Sequence, residues 1–214
     1  MQIDAMIDWT KYKAALFDLD GVIFHTEPQY DHFWEGICRD YCPDDTEMIR
    51  QMKGQTLTYI LNRWFSGERA HLQAEIVRRL NDFEAQMHFD YVPGFEEYLA
   101  DLHGRGIRTA VVTSSNAPKL AQVCRCHPQF RAMFDAVVSA EDFQASKPAP
   151  DSYLEGARRV HVAPQACVAY EDSINGLKAA RAAGMYVVAL ATTLPSAELK
   201  PLSDRQVADF TALL

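Results

Sequence analysis

The 214-residue sequence has no basic stripe. Its 21 Lys and Arg are outnumbered by 29 Asp and Glu, for a formal net charge of −8. Nucleic-acid binding relies on clustered cations that neutralise phosphates, so that class of partner is not expected. Any anionic substrate must be drawn by a local cation or lysine against the field of the whole chain. No uncharged apolar run approaches the roughly 18 residues that a membrane span needs. Met1 to Asp8 has neither a basic start nor an apolar core of signal-peptide length. The five cysteines are odd in number and sit in a chain large enough to fold without staples. Cys124, Cys126 and His127 have no second pair at matching spacing, so reduced thiols are expected there rather than zinc. Internal repeats and low-complexity segments are lacking too. The expectation is a cytoplasmic protein without nucleic-acid or membrane partners, monomeric or weakly homodimeric.

What is present points to a well-filled globular core: 48% of residues are hydrophobic and 23% charged. The length suits one domain with a modest insertion. The most informative stretch is Ala14-Ala15-Leu16-Phe17-Asp18-Leu19-Asp20-Gly21-Val22. An apolar run with the pattern of a strand buried on both faces ends in two aspartates and a glycine. In an extended chain Asp18 and Asp20 fall on the same side. Like charges that close require an offset. A Mg²⁺ ion, which takes hard oxygen ligands, would supply it, and so would a protonated Asp20 beside an ionised Asp18.

Residues 27–87 read as helical. Tyr30, Phe33, Trp34 and Ile37 form one apolar face, and Leu72, Ile76, Leu80, Phe83 and Met87 recur at spacings of three and four. Lys53-Gly54-Gln55-Thr56 reads as a loop between two helices. From Tyr91 onward helices and strands alternate, the mark of a parallel sheet covered on both faces. Strands are expected at 107–113, 134–139, 167–171 and 186–190. The predicted fold is α/β, a doubly wound parallel sheet with an inserted all-helical cap. Residues 1–25 and 91–214 would form the core and 26–90 the cap.

Polar groups follow the strands in a telling way. The first strand ends in Asp18 and Asp20, the second in Thr113-Ser114-Ser115-Asn116, and the fourth in Glu171-Asp172. The third is followed one loop later by Ser146-Lys147-Pro148. In a doubly wound sheet ligands bind beyond the carboxyl ends of the strands, so these sets converge. Carboxylates that can ligate Mg²⁺, hydroxyls for an oxyanion and one lysine are what phosphoryl transfer requires. A carboxylate can also act as the nucleophile.

Taken together, Asp18-Leu19-Asp20-Gly21-Val22, Thr113-Ser114, Lys147-Pro148 and Glu171-Asp172-Ser173 resemble, in order, the four motifs of the haloacid dehalogenase superfamily. Ser146 to Asp151 and Glu171 to Gly176 are similar to its β-phosphoglucomutase-like branch. The helical insertion resembles that superfamily's small cap. The resemblance implies roles: Asp18 as nucleophile and Asp20 as general acid and then base. Thr113, with Ser114 and Asn116, would hold phosphate oxygens, and Lys147 would stabilise charge. Asp18, the Asp20 carbonyl and Asp172, with Glu171 alongside, would hold Mg²⁺. Lys53 matches in the cap loop as a substrate contact.

The chain departs from the pattern in places. His25 stands where an aspartate is common and could face the substrate. Tyr30, Leu57 and Asn116 stand where the mutases carry a histidine, an arginine and a lysine. Fewer cations to hold a second phosphate favour water as acceptor. The expected activity is therefore a Mg²⁺-dependent phosphatase acting on a small phosphorylated metabolite such as a sugar phosphate. A hexose-phosphate mutase is the alternative, and a catalytically silent binding protein a more distant one.

Overall fold

The computed structural model describes residues 7–45 and 47–214. Six strands form one parallel sheet: β1 (Ala14–Phe17), β2 (Arg108–Val112), β3 (Ala136–Val138), β4 (Cys167–Glu171), β5 (Tyr186–Leu190) and β6 (Arg205–Val207). Their order is β3-β2-β1-β4-β5-β6, with β1 central and the order reversing between β1 and β4. The doubly wound parallel sheet is thus as expected. β6 is an addition: only Val207 of its three residues is buried, which leaves no apolar run to read.

Strand β1 is fully buried, and its side chains alternate between two cores. Ala15 and Phe17 join an aromatic-rich cluster with Phe24, Phe95, Tyr98 and Phe210. Ala14 and Leu16 join an aliphatic cluster with Val112, Ala157 and Leu177 on the other face. This two-sided burial is why β1 reads as a continuous apolar run.

The segment after β1 holds four helices: α1 (Glu27–Tyr41), α2 (Met48–Met52), α3 (Leu57–Trp64) and α4 (Gln73–Glu84). They enclose a third hydrophobic cluster that includes Trp34, Ile37, Met48, Ile60, Ile76 and Leu80. The aromatic stripe of α1 is therefore packing, with Phe33 stacked on Phe83 at 4.9 Å between ring centroids. The chain returns to the sheet through α5 (Phe95–Gly104). Helices α6 (Ala117–Cys126), α7 (Asp151–Arg159) and α8 (Ile174–Ala182) follow β2, β3 and β4, and the short α9 (Ser196–Leu199) follows β5. Helix α7 begins at Asp151, with Pro148 and Pro150 just outside it. No described helix is long and apolar enough to cross a membrane.

Candidate active site

The polar groups that follow the strands meet at one edge. A cavity of about 100 Å³ lies between the sheet's carboxyl edge and the helical segment. Its sheet side includes Asp18, Asp20, Thr113, Ser114 and Asp172, and its helical side includes Glu27, Tyr30, Trp34, Lys53 and Glu84.

Lys147 is fully buried and is the hub of the sheet side. Its Nζ donates to Asp18 Oδ1 at 2.7 Å, to Glu171 Oε1 at 2.5 Å and to the Val112 carbonyl at 3.3 Å. Burial would discharge it, yet the two carboxylates outweigh that cost and hold its ammonium charged. Glu171 has further partners, accepting from Tyr153 Oη at 2.7 Å and Ser173 Oγ at 3.2 Å. It is fully buried and does not line the cavity. Gly176 lies against it so closely that a Cβ there would stand 2.0 Å from its carboxylate.

Burial raises the Asp18 carboxyl to about 7, with Lys147 opposing and Glu171 adding to the rise. Asp172 is pushed up more strongly, first by burial and then by the negative charges of Glu27, Glu171 and Asp18. Thr193 Oγ1 donates to its Oδ2. Oxygens of Asp18, Glu171 and Asp172 lie within 4.8 Å of one another. One lysine does not offset three buried carboxylates, and an all-oxygen donor set suits a hard divalent cation. The residues fit such an ion. Gly21, at φ +73°, passes so near that a Cβ would stand 2.0 Å from Asp172 Oδ2. Only glycine allows that turn and that approach together.

Asp20 has a separate set of partners. Its Oδ1 accepts from Thr26 Oγ1 at 2.5 Å; its Oδ2 accepts from Ser115 Oγ at 3.0 Å and from Lys119 Nζ. Burial opposes its ionisation, but Lys119 and the two hydroxyls prevail and hold it below the usual carboxylate range. Each aspartate of the first motif is thus offset by its own lysine. Lys119 escapes the sequence reading, although one signal is present. It lies in the first turn of α6, after the cap residue Asn116, where the helix dipole disfavours a cation.

The other expected residues are placed as follows. Ser115 N–H donates to Thr113 Oγ1 at 3.0 Å. Ser114 Oγ donates to the Gly54 carbonyl at 2.8 Å, linking the sheet edge to the helical segment. Asn116 lines the cavity, but its Oδ1 caps α6 by accepting from Lys119 N–H at 3.1 Å. Lys53 lines the cavity between Glu27 Oε2 at 2.5 Å and Asp31 Oδ1 at 2.6 Å. His25 is not brought in: its side chain is exposed and lies outside the cavity lining. Thr26 turns inward instead, fully buried and bonded to Asp20.

On the helical side, Glu84 is nearly buried, and burial raises its carboxyl against the pull of Lys119 and a hydrogen bond from Tyr30. Residues 51–56 touch the core at several points. Asn175 Nδ2 donates to the Lys53 carbonyl at 2.9 Å and the Gln51 carbonyl at 3.3 Å. Thr56 N–H donates to Ser146 Oγ at 3.0 Å, and Ser146 Oγ donates to Gln55 Oε1 at 2.8 Å.

A family model for haloacid dehalogenase-like hydrolases matches residues 12–184. The chain is 31% identical to the fructose-1-phosphate phosphatase YqaB of Escherichia coli (strain K12), over 84% of this chain and 97% of that one. It is 30% identical to the beta-phosphoglucomutase of Bacillus subtilis (strain 168), over 93% and 92%. Among solved structures, a beta-phosphoglucomutase from Clostridium difficile superposes with a TM-score of 0.79 at 24% identity, covering 95% of this chain and 93% of that one, a likeness of fold.

Proposed function

Since the chain belongs to the haloacid dehalogenase-like hydrolases, we propose that it is a phosphatase that hydrolyses a small phosphorylated metabolite, a sugar phosphate by class, through a phospho-aspartate. The observation that carries this reading over the mutase is the state of the two lysines that line the cavity. Lys53 is clasped by Glu27 and Asp31, and Lys119 by Asp20. A mutase must hold a second phosphate while its intermediate turns over, and neither lysine is free to do so. With that grip lacking, water is the acceptor.

In this reading an Asp18 carboxylate oxygen attacks phosphorus as the bond to the leaving oxygen breaks. Asp20 rests ionised against Lys119, Ser115 and Thr26, so it first takes up a proton, from solvent or a monoanionic substrate phosphate, and then gives it to that oxygen. Water then attacks the phospho-aspartate, Asp20 takes the proton released, and inorganic phosphate leaves with Asp18 restored. Lys147 neutralises charge on Asp18 and the phosphoryl group, and Glu171 with Tyr153 holds that lysine in place. Thr113 offers its hydroxyl to a phosphoryl oxygen, while the Ser114 hydroxyl is given to the Gly54 carbonyl and Ser114 only lines the site. Asp18, Asp172 and the Asp20 carbonyl, with Glu171 alongside, would hold Mg²⁺, which supplies charge stabilisation for the phosphoryl group when bound. The helical segment 26–90 acts as a cap that excludes bulk water. His25, outside the cavity, has no part in this scheme.

The test is phosphate release from a panel of small phosphomonoesters, with Mg²⁺ and with chelator, by wild type and Asp18→Asn. β-Glucose 1-phosphate with a trace of its bisphosphate is scored separately for glucose 6-phosphate. Mg²⁺-dependent release that the variant loses supports the phosphatase. Isomerisation without release overturns it in favour of the mutase.

A further inference from the structure

Glu84 has no part in the phosphoryl chemistry, yet the fold keeps a carboxylate there at a cost. It is the last residue of α4, is 7% exposed, and lines the cavity. A helix C-terminus carries partial negative charge, so a glutamate there is disfavoured. Burial strips its hydration as well. Among the described residues the one hydrogen bond to its carboxylate comes from Tyr30 Oη to Oε1, at 2.7 Å. No protein donor among the described residues reaches Oε2, and Glu84 lines the cavity. If Glu84 served only to staple α4 to α1 through Tyr30, a neutral glutamine would do as well without the charge. Lys119 lies close by, its Nζ 4.4 Å from the centroid of the Tyr30 ring. That cation partly offsets Glu84, and it disfavours a positively charged ligand group at the same spot.

Resting on the phosphatase reading above, we propose that Glu84 is a specificity-determining residue that accepts hydrogen bonds from hydroxyls of the leaving group. The substrates it selects are monophosphates whose alcohol carries further hydroxyls. An aryl or simple alkyl leaving group would cover the carboxylate without satisfying it. A site built to hydrogen-bond a hydroxyl rejects an analogue that lacks one, because its buried polar group is then unpaired. A leaving group with its own carboxylate or second phosphate would meet Glu84 as a like charge. Trp34, Ile49 and Met52 on the same side offer apolar walls to the carbon chain.

Binding tests this independently of turnover. Asp18→Asn protein with Mg²⁺ is titrated calorimetrically with a hexitol 6-phosphate and with phenyl phosphate, each with and without Glu84→Gln. The expected result is a loss of about tenfold or more in affinity for the hexitol phosphate, against at most about twofold for phenyl phosphate. Equal losses for both ligands, no loss for the hexitol phosphate, or no initial preference for it each overturn the proposal. Should Glu84→Gln fail to fold, Tyr30→Phe takes its place: it breaks the staple and keeps the charge. Retained preference for the hexitol phosphate then supports the proposal, and lost preference overturns it. Absence of phosphate release by the wild type would count against the phosphatase reading alone, since the binding preference is read without it.

Discussion

The two sides of the cavity are built differently. On the sheet side Lys147, Glu171 and Asp172 are almost wholly buried, and most of their polar atoms are spoken for by named partners. On the helical side the walls are largely apolar, Lys53 sits between two acids, and Glu84 lines the cavity with Tyr30 as the one partner of its carboxylate among the described residues. The sheet side resists change because an uncompensated buried charge costs far more than a mispacked methyl group. The helical side can vary without disturbing that network. Under the proposed reading this division would keep the reaction fixed and leave the choice of substrate adjustable.

Several changes should break or sharpen the contrast. The largest effect is expected from Asp18→Asn, which should lower phosphate release by about 10³-fold or more, the loss expected of a nucleophile, while circular dichroism stays unchanged. Next comes Gly176→Ala. Its Cβ would lie 2.0 Å from the Glu171 carboxylate, and overpacking beside a buried ion pair should cost about 3 kcal/mol or more in denaturant unfolding.

Metal binding should separate the two sides by pH. Mg²⁺ must displace any proton on Asp18, whose carboxyl burial raises to about 7. Affinity should therefore fall as pH drops from 8 to 6, with proton release seen by calorimetry in buffers of different ionisation enthalpy. Smaller again is Asn175→Ala, which removes both donations to the cap loop. It should raise KM several-fold, by about 1 kcal/mol, and leave unfolding of the core nearly unchanged. At the bottom of the scale is Gly36→Ala in α1, where a Cβ meets nothing closer than 3.8 Å. It should stabilise the protein by about 0.5–1 kcal/mol without altering activity.

Much of the sheet side was legible because topology does the placing. Once β1, β2, β3 and β4 are read as parallel strands, whatever follows them must meet at one edge, so Asp18, Thr113, Lys147 and Asp172 could be gathered before any distance was known. Residues placed by helix rotation were not legible in this way. Lys119 and Glu84 lie within amphipathic helices, where a charge ordinarily reads as a solvated face. Only their positions at the wrong ends of the helix dipoles hint otherwise. His25 shows the converse error, since nearness in sequence to Asp20 did not bring it into the cavity, and the buried Thr26 next to it is the residue that turned inward. β6 was missed because three residues with one buried side chain carry no periodic signal.

The bonds that hold the loop at 51–56 to the core have a consequence of their own. Three of them end on the main-chain carbonyls of Gln51, Lys53 and Gly54, and another begins at the Thr56 amide. A carbonyl is common to every amino acid, so at positions 51 and 53 this clasp does not depend on the side chain displayed. Gly54, at φ +76° with Ser173 Oγ 2.6 Å from where a Cβ would stand, is by contrast confined to glycine. Docking of the helical segment and recognition of a ligand are thereby written in different parts of the same residues. Exchanging the side chains at positions 51 and 53 should leave these bonds to the core in place. A library randomised at positions 51 and 53 would therefore be rich in folded variants.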